Sequence, residues 1–296
     1  MRRLLHGLLV LLAFSCHADD TAGYQEWLKF KQAMQAEAGG PTGMYAIQDM
    51  IELGAGESAH LPARQSAEKK DNLRWLKKPA SAALAIVKFA DQRAIVSGPG
   101  IQSTDLLQTQ GKAVPLGDGL AVKGTLLRDK TLKLWLYDAN LPAKRNFKQL
   151  DFYPYDPRGR ITGRFRRNEQ PVAVSYLDSR DQAGTMYEVG VIEATIEGKQ
   201  YDLKTVSYKN RWKEIDFLLL LLRDGTSGKT TYGGGRVVEI AIPKGAPPAS
   251  VTFDLNLAYS FLCAHSEFYN CPLVLTNRVG VELPFGEKFP PQMSNQ

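Results

Sequence analysis

The chain has 296 residues, of which 44% are hydrophobic and 23% are charged, and it contains 26 glycines and 16 prolines. This composition is typical of globular proteins and excludes a collagen, a coiled coil and a multi-pass membrane protein. The formal net charge is +6, and no dense block of lysine and arginine accompanies it. We therefore expect no nucleic acid among the partners.

The first 18 residues have the pattern of a secretory signal peptide. Arg2 and Arg3 form a basic start, an uninterrupted apolar run covers residues 8–14, and small residues follow it. The run is too short to span a bilayer comfortably. We therefore expect residues 1–18 to be a signal peptide and the mature protein to be periplasmic, or anchored to a membrane by a lipid.

Two processing routes are open at the end of this segment. Residues 13–16, Ala-Phe-Ser-Cys, resemble a lipobox, the bacterial signal in which the cysteine is lipidated and becomes the first residue. The alternative is cleavage after Ala18, which discards Cys16. The first route makes Cys16 the only connection to a membrane, because acyl chains gain about 0.8 kcal/mol per buried CH₂ group.

Export also determines how the two remaining cysteines are interpreted. Cys263 and Cys271 are eight residues apart, and in an oxidising compartment this spacing predicts a disulfide that closes a short loop. A zinc site is the alternative, because His265 and Glu267 lie between the cysteines. The disulfide is the interpretation that export favours, so we expect no metal.

Hydrophobic spacing predicts one helix near the N-terminus and strands elsewhere. The helix covers residues 19–38, where Trp27 belongs to an apolar stripe with spacings of three and four. Residues 55–73 are polar and weakly periodic, which predicts an exposed connection. Strands are predicted at residues 82–89, 92–97, 132–137, 161–165, 172–177, 186–196, 199–208, 217–223 and 237–242.

The predicted strands recur about every ten residues, with polar turns between them. This spacing predicts a mainly β fold: a single antiparallel β-sandwich or barrel-like domain over residues 19–290, with a short N-terminal helix and a tail at 291–296. Residues 217–222 are an unbroken apolar run, which predicts a central strand covered on both faces. Residues 191–203 predict a β-hairpin that turns at Gly198.

Common nucleotide-binding and hydrolase motifs are absent from the sequence. Residues 227–230, Ser-Gly-Lys-Thr, resemble part of a P-loop, but Arg223 stands where the first glycine is required and a strand follows instead of a helix. Neither a Gly-x-Ser-x-Gly elbow nor a His-Glu-x-x-His motif occurs. The sequence therefore assigns neither a reaction nor a cofactor.

The C-terminal half carries a specific pattern of polar and small residues. Its members are Asp224, Thr226, Gly228, Thr231, Tyr232, Gly235, Arg236, Asp254, Asn256, Ala258, Tyr259, Cys263, Cys271, Pro272, Leu273, Asn277, Arg278, Gly286, Glu287 and Lys288. This pattern resembles that of the bacterial domain-of-unknown-function family 1684, and the resemblance extends over about residues 20–290 of the chain. The chain departs from the family at 260–262 and 274–275, where the family has prolines beside the cysteines. The resemblance implies no known activity.

The polar members of this pattern are the candidate site. The ligand-binding candidates are Tyr232, Arg236, Asn256, Tyr259, Asn277, Arg278 and Glu287. We expect segments 224–236 and 254–288 to meet and to place these side chains around one concave surface, with an arginine for an anionic group. The alternative is a satisfied polar network, in which Arg278 pairs with Glu287 or Asp254 and the asparagines hold loop backbone.

Two classes of function follow from these observations. The first is an exported protein that binds a small-molecule ligand or acts as an accessory protein of the cell envelope, without chemistry. The second is an envelope enzyme, either a hydrolase that uses carboxylates or a flavin-dependent redox protein. The scarcity of histidine, with four in the whole chain, favours binding over catalysis.

Overall fold

The structure is a computed structural model that describes residues 20–63, 73–80, 82–127, 129–178, 182–272 and 277–289. Within these ranges the chain is mainly β, with antiparallel sheets and one helix of substantial length near the N-terminus, which confirms the predicted fold class. The signal segment with Cys16 and the tail at 291–296 lie outside the described residues. No helix among the residues that are described is long and apolar enough to cross a bilayer.

The helices and strands are defined as follows. The helices are α1 (Thr21–Gly39) and α2 (Leu141–Lys144). The strands are β1 (Ile47–Leu53), β2 (Ser58–Pro62), β3 (Ala83–Ala90), β4 (Arg93–Gly98), β5 (Ile101–Asp105), β6 (Val114–Gly117), β7 (Leu120–Leu126), β8 (Leu132–Asp138), β9 (Asp151–Phe152), β10 (Arg160–Leu177), β11 (Ala183–Ile196), β12 (Lys199–Ser207), β13 (Phe217–Arg223), β14 (Arg236–Ala241), β15 (Ser250–Asp254), β16 (Tyr259–Ser260), β17 (Asn277–Arg278) and β18 (Glu287–Lys288).

Helix α1 matches the predicted N-terminal helix and packs against the C-terminal half of the chain. It begins after Asp20, whose side chain accepts a hydrogen bond of 2.9 Å from the main-chain N–H of Gly23. Trp27 is buried in a cluster that contains Leu150. The Gln35 side chain also donates to the Leu150 carbonyl (2.6 Å) and accepts from the Leu150 N–H (2.8 Å), so that polar as well as apolar contacts hold the helix in place.

Strands β1–β8 form two four-stranded antiparallel sheets that share one core. The strand orders are β1-β8-β7-β6 and β2-β3-β4-β5. Alternate side chains of both sheets, such as Val87 and Leu134, point into this core. The expectation of an exposed connection at 55–73 is wrong for β2, because Ala59 and Leu61 are fully buried. A strand of five residues with polar neighbours is too short to show a clear period.

Strands β10–β17 form one large sheet. Its order is β15-β10-β11-β12-β13-β14-β16, and β17 pairs in parallel with β13. Strand β10 joins the two predicted strands at 161–165 and 172–177, with a register shift between Arg167 and Val172. The predicted hairpin is confirmed between β11 and β12, where Gly198 has a φ of +73°, a conformation that favours glycine.

Strand β13 is the central strand that its unbroken run of leucines predicts. It lies between β12 and β14, and Leu218, Leu220 and Leu222 face one core of the sheet. Leu219 and Leu221 face the opposite side, where Phe261 and Cys271 cover them. The segment 259–272 therefore lies across one face of the large sheet.

The same segment also contacts the N-terminal sheets. Phe268 and Tyr269 pack against a small buried cluster that includes Tyr137, and the rings of Trp135 and Tyr269 lie 5.3 Å apart. Segment 259–272 is thus held between the large sheet and strand β8. The two cavities described below open on either side of this segment.

Candidate functional site

The two segments that carry the polar pattern meet around Arg236. The Arg236 side chain is 1% exposed, and its Nη2 lies 2.5 Å from Oδ2 of Asp224. The guanidinium also donates to the carbonyl oxygens of Leu283, at 3.1 Å, and Phe285. Loop 224–236 is therefore joined to the segment after β17, as expected, but Arg236 is enclosed and does not face a cavity.

Asp224 completes this polar network. Its Oδ1 accepts hydrogen bonds from the main-chain N–H and the hydroxyl of Thr226, at 2.7 and 2.6 Å, and from the Leu283 N–H at 3.3 Å. The Thr226 hydroxyl lies 2.9 Å from that of Thr231. A buried ion pair surrounded by main-chain and hydroxyl partners holds a fold together.

The side chains of the two candidate asparagines form hydrogen bonds with main-chain groups, as in the alternative of a satisfied polar network. Asn256 exchanges two hydrogen bonds with the main chain of Asp156, at 2.8 and 3.0 Å. Asn277 accepts from the Lys204 N–H at 2.8 Å and donates to the carbonyl oxygens of Lys204 and Leu221, both at 2.9 Å. The Asn277 amide therefore bridges β12 and β13.

Arg278 does not share a surface with Arg236, so the expectation of one concave surface around both arginines is wrong. Arg236 is opposite Leu222 in the β13–β14 pair, whereas Arg278 is opposite Arg223 in the β13–β17 pair. Consecutive residues of a strand point to opposite faces of a sheet, so the two arginines point to opposite faces of this one. Arg278 is exposed, and Glu287 is paired with another residue, His265.

Glu287 and His265 form a second buried pair. Both side chains are 1% exposed, and Nε2 of His265 lies 2.9 Å from Oε1 of Glu287. The other carboxylate oxygen accepts a hydrogen bond of 2.7 Å from the Ser260 N–H. Nδ1 of His265 lies 3.1 Å from the hydroxyl of Tyr45, so the three side chains form a continuous Tyr45–His265–Glu287 chain.

Sequence reasoning identified two members of this chain of contacts but missed the third. The sequence makes Glu287 a ligand candidate and His265 a possible zinc ligand. Tyr45 is 220 residues away from His265, and no local pattern around it indicates that they meet. Burial, followed by the charge of Glu287, raises the pKa of Tyr45 to about 12. Tyr45 is therefore protonated at neutral pH.

Cys263 and Cys271 form the disulfide that the sequence predicts. Their Cα atoms are 5.9 Å apart, within the range that a disulfide requires. The bond removes both thiolates from the alternative zinc site. Within the part of the chain that the structure describes, no three His, Cys, Asp or Glu side chains are grouped in a way that could hold a metal ion.

Two cavities lie on either side of the disulfide. The first, which we call the apolar cavity, has a volume of about 240 Å³. Its wall includes Tyr208, Phe217, Leu219, Leu221, Val237, Glu239, Tyr259, Phe261, Tyr269 and Cys271. The second, which we call the basic cleft, has a volume of about 480 Å³. Its wall includes Tyr45, Arg145, Lys148, Tyr232, Cys263, His265 and Glu267.

The two candidate tyrosines are divided between these cavities. Tyr232 lines the basic cleft, whereas Tyr259 lines the apolar cavity, so they are not two walls of one pocket. The hydroxyl of Tyr259 donates a hydrogen bond of 2.6 Å to Oε1 of Glu239. Burial, followed by this hydrogen bond and the charge of Glu239, raises the pKa of Tyr259.

Comparisons with known proteins show a similarity to one family over part of the chain and give no activity. The family model described as "Protein of unknown function (DUF1684)" matches residues 145–288. Among solved structures, the solution NMR structure of an uncharacterized protein from Haloarcula marismortui is 27% identical, covering 49% of this chain and 79% of that chain with a TM-score of 0.42. No curated protein matches the chain. The matched range contains loop 224–236, the disulfide and Glu287, so over residues 145–288 the chain is similar to the family described as protein of unknown function DUF1684.

Proposed function

We propose that this protein binds a small apolar ligand that carries a cationic group, that it binds this ligand in the apolar cavity, and that it works in the cell envelope. The observation that carries the proposal is the position of Glu239, a carboxylate at an aromatic cavity. Among the described residues, no lysine, arginine or histidine forms an ion pair with Glu239. Glu239 is exposed to solvent, and a cationic ligand group would give it a counter-ion that the described part of the chain does not supply.

The wall of the apolar cavity suits such a ligand. Five aromatic side chains contribute to it, together with the buried Leu219 and Leu221 of β13. Apolar surface favours burial of a hydrocarbon group by about 25 cal/mol per Å². Aromatic rings attract cations through their negative faces, by about 0.5–1 kcal/mol at exposed sites and about 2 kcal/mol when water is excluded.

Contacts already present in the protein support this preference for cations. Nζ of Lys209 lies 5.5 Å from the ring centre of Phe217, one of the aromatic residues of the cavity. Lys209 is paired with Asp216, at 2.7 Å, and does not reach Glu239. The Tyr259 hydroxyl occupies Oε1 of Glu239, so Oε2 is the oxygen that a ligand would contact.

Two features support the cell envelope as the place of action. The disulfide between Cys263 and Cys271 lies in the wall shared by both cavities, and disulfides persist in oxidising compartments. The N-terminal sequence has the pattern of a signal peptide, with Cys16 as the candidate for lipidation. We propose that the mature protein is exported and is attached to a membrane through a lipid on Cys16.

Ligand binding is tested with three probes of one shape and different charge: benzylamine, benzyl alcohol and benzoate. We expect benzylamine to raise the thermal midpoint of the purified protein most, because it adds a cation to the same ring. Benzyl alcohol should act less strongly, and any shift from benzoate should be the same in the wild type and in Glu239→Gln, because Glu239 repels this anion from the apolar cavity.

Two variants determine whether Glu239 causes the difference. Glu239→Gln should abolish the preference for benzylamine over benzyl alcohol. Glu282→Gln is the matched control, because Glu282 is an exposed glutamate paired with Lys229 outside the apolar cavity. Equal shifts from all three probes, or an amine preference that survives Glu239→Gln, would overturn the proposal.

Location is tested separately, so that its failure cannot be confused with failure of ligand binding. Labelled palmitate should enter the wild-type protein in a bacterial host, and Cys16→Ser should abolish the label and release the protein from the membrane fraction. An exported but unlabelled wild-type protein would contradict the lipid and support cleavage after Ala18. An uncleaved chain in the cytoplasm would contradict export altogether.

A further inference from the structure

The basic cleft lies across the disulfide from the apolar cavity and has the opposite character. Arg145 and Lys148 line it, together with the phenol of Tyr45. Glu267 also lines the cleft, and its charge acts on Arg145. The neutral amides of Asn146 and Gln149 add further hydrogen-bond donors. Its volume of about 480 Å³ is sufficient for a small molecule.

We propose that the basic cleft is a second binding site, specific for small molecules that carry an oxyanion such as phosphate or carboxylate, and that His265 takes up a proton when the anion binds. Tyr45 is the donor to the anion, and Arg145 and Lys148 supply positive charge. The proposal does not depend on the apolar cavity, because the two sites share only the disulfide wall.

Arg145 and Tyr45 are held next to each other. Nη1 of Arg145 donates a hydrogen bond of 3.2 Å to the main-chain carbonyl of Tyr45. The rings of Tyr45 and Phe147 stack with their centres 4.2 Å apart, which positions the phenol beside segment 145–149. A guanidinium and a phenol fixed in this way form a donor pair for an oxyanion.

The Tyr45–His265–Glu287 chain couples this donor to a proton. The carboxylate of Glu287 lies 2.9 Å from Nε2 of His265, and we assign the ring proton of the neutral imidazole to Nε2, so that Nδ1 accepts from the Tyr45 hydroxyl. When an anion accepts a hydrogen bond from Tyr45, that hydroxyl no longer donates to Nδ1. A proton taken up on Nδ1 restores the contact, with His265 as the donor and the tyrosine oxygen as the acceptor.

The charges around His265 determine whether anion binding favours uptake or release of a proton. Glu287 and Tyr45 contact the ring, Phe289 packs on it edge to face with a ring separation of 5.2 Å, and Arg145, Lys148 and Glu267 line the same cleft. In the empty cleft the two cations oppose a charged imidazole. A bound anion neutralises them, while the buried carboxylate of Glu287 stabilises the imidazolium. Because a proton is taken up together with the anion, anion affinity falls as pH rises.

The experiment is a calorimetric titration of the purified protein with inorganic phosphate, carried out in two buffers of different ionisation enthalpy. We expect binding with net proton uptake, and weaker binding at higher pH. Tyr45→Phe should weaken phosphate binding about tenfold or more, because it removes a hydrogen bond to a charged group. Acetate in place of phosphate tests whether the site prefers phosphate or carboxylate.

The matched control is Tyr153→Phe, because Tyr153 bonds to Thr230 at 2.6 Å and does not line the cleft. Arg145→Gln changes an exposed side chain and should also weaken phosphate binding, so the test does not depend on the folding of Tyr45→Phe. Benzylamine binding should be unchanged in both Tyr45→Phe and Arg145→Gln. Absence of phosphate binding, binding without proton uptake, or equal affinities of Tyr45→Phe and Tyr153→Phe would overturn the proposal.

Discussion

Two buried pairs of a basic and an acidic side chain lie within the family-matched region, and they differ in what surrounds them. Arg236 and Asp224 are enclosed by main-chain carbonyls, a main-chain N–H and the Thr226 hydroxyl. His265 and Glu287 are equally buried, but the remaining ring nitrogen of His265 contacts Tyr45, which lines the basic cleft. The Arg236–Asp224 pair therefore belongs to a closed network, whereas the His265–Glu287 pair is connected through Tyr45 to a cavity.

The chemistry of arginine and histidine explains why each side chain suits its place. An arginine has a fixed charge and five N–H donors, so it is stable in a buried network only when most of those donors find acceptors. A histidine has two ring nitrogens and can lose its charge near neutral pH. The Arg236–Asp224 pair can only be formed or broken, whereas the His265–Glu287 pair can gain or lose a proton while both side chains stay in position.

The largest expected effect follows from breaking the enclosed pair. Asp224→Asn leaves the permanent charge of Arg236 buried without its counter-ion, and we expect the free energy of unfolding to fall by about 3–5 kcal/mol. The free energy of unfolding of the variant and of the wild type is measured by urea unfolding. Glu282→Gln, which breaks an exposed pair with Lys229, should cost less than about 1 kcal/mol. Equal losses in the two variants would contradict the structural role of Asp224.

Removal of the disulfide should have the next largest effect on stability, and it should also affect ligand binding in both cavities. Replacing Cys263 and Cys271 by serine should lower the free energy of unfolding by about 2–3 kcal/mol, because the open loop gains conformational entropy in the unfolded state. It should also weaken binding of benzylamine and of phosphate, since one sulfur lies in each wall. A reductant should reproduce both effects in the wild type and should have no further effect in the double variant.

Glu287→Gln tests the difference between the two pairs directly. Glutamine can still accept the hydrogen bond from the Ser260 N–H, and a neutral His265 beside it leaves no charge unpaired. We expect a loss of about 1–2 kcal/mol, smaller than for Asp224→Asn. Proton uptake on phosphate binding should disappear. A loss as large as that of Asp224→Asn would show that the two pairs are equivalent.

The smallest effect concerns Asp254, a buried carboxylate that forms no ion pair within the described ranges. Burial raises the pKa of Asp254 above its usual value of 3.8, against hydrogen bonds from Asn256 that lower it. The folded state therefore disfavours the charged form, and stability increases as pH falls through the raised pKa.

Asp254→Asn should accordingly stabilise the protein at neutral pH by less than about 1 kcal/mol, because asparagine can still accept from the Asn256 N–H. The difference in stability between Asp254→Asn and the wild type should decrease as pH falls. It should vanish below pH 3.8, where Asp254 is protonated in both the folded and the unfolded state. Thermal midpoints measured along a pH series check this. An advantage that grows in acid would contradict the sign of the shift.

Local sequence patterns were sufficient for the features that depend on neighbours in the chain. The helix at 19–38, the central strand at 217–223 and the hairpin at Gly198 all appear in the structure, because hydrophobic periods of 3.6 and 2 and the demands of a tight turn act over a few residues. The disulfide follows from the spacing of two cysteines in a chain whose N-terminal pattern predicts export. Strand β2 is the exception, since five residues are too few to show a period.

The roles of the polar residues were decided by the tertiary structure. Arg236 and Arg278 have the same chemistry, but register along β13 places one in a closed network and the other on the exposed face. Tyr45 joins His265 across 220 residues of chain, so its environment depends on how the N-terminal sheets pack against segment 259–272. A polar side chain can serve a ligand only if the folded chain leaves some of its hydrogen-bonding atoms without a protein partner. Those partners come from segments that are distant in the sequence, so the sequence alone does not show which atoms remain available.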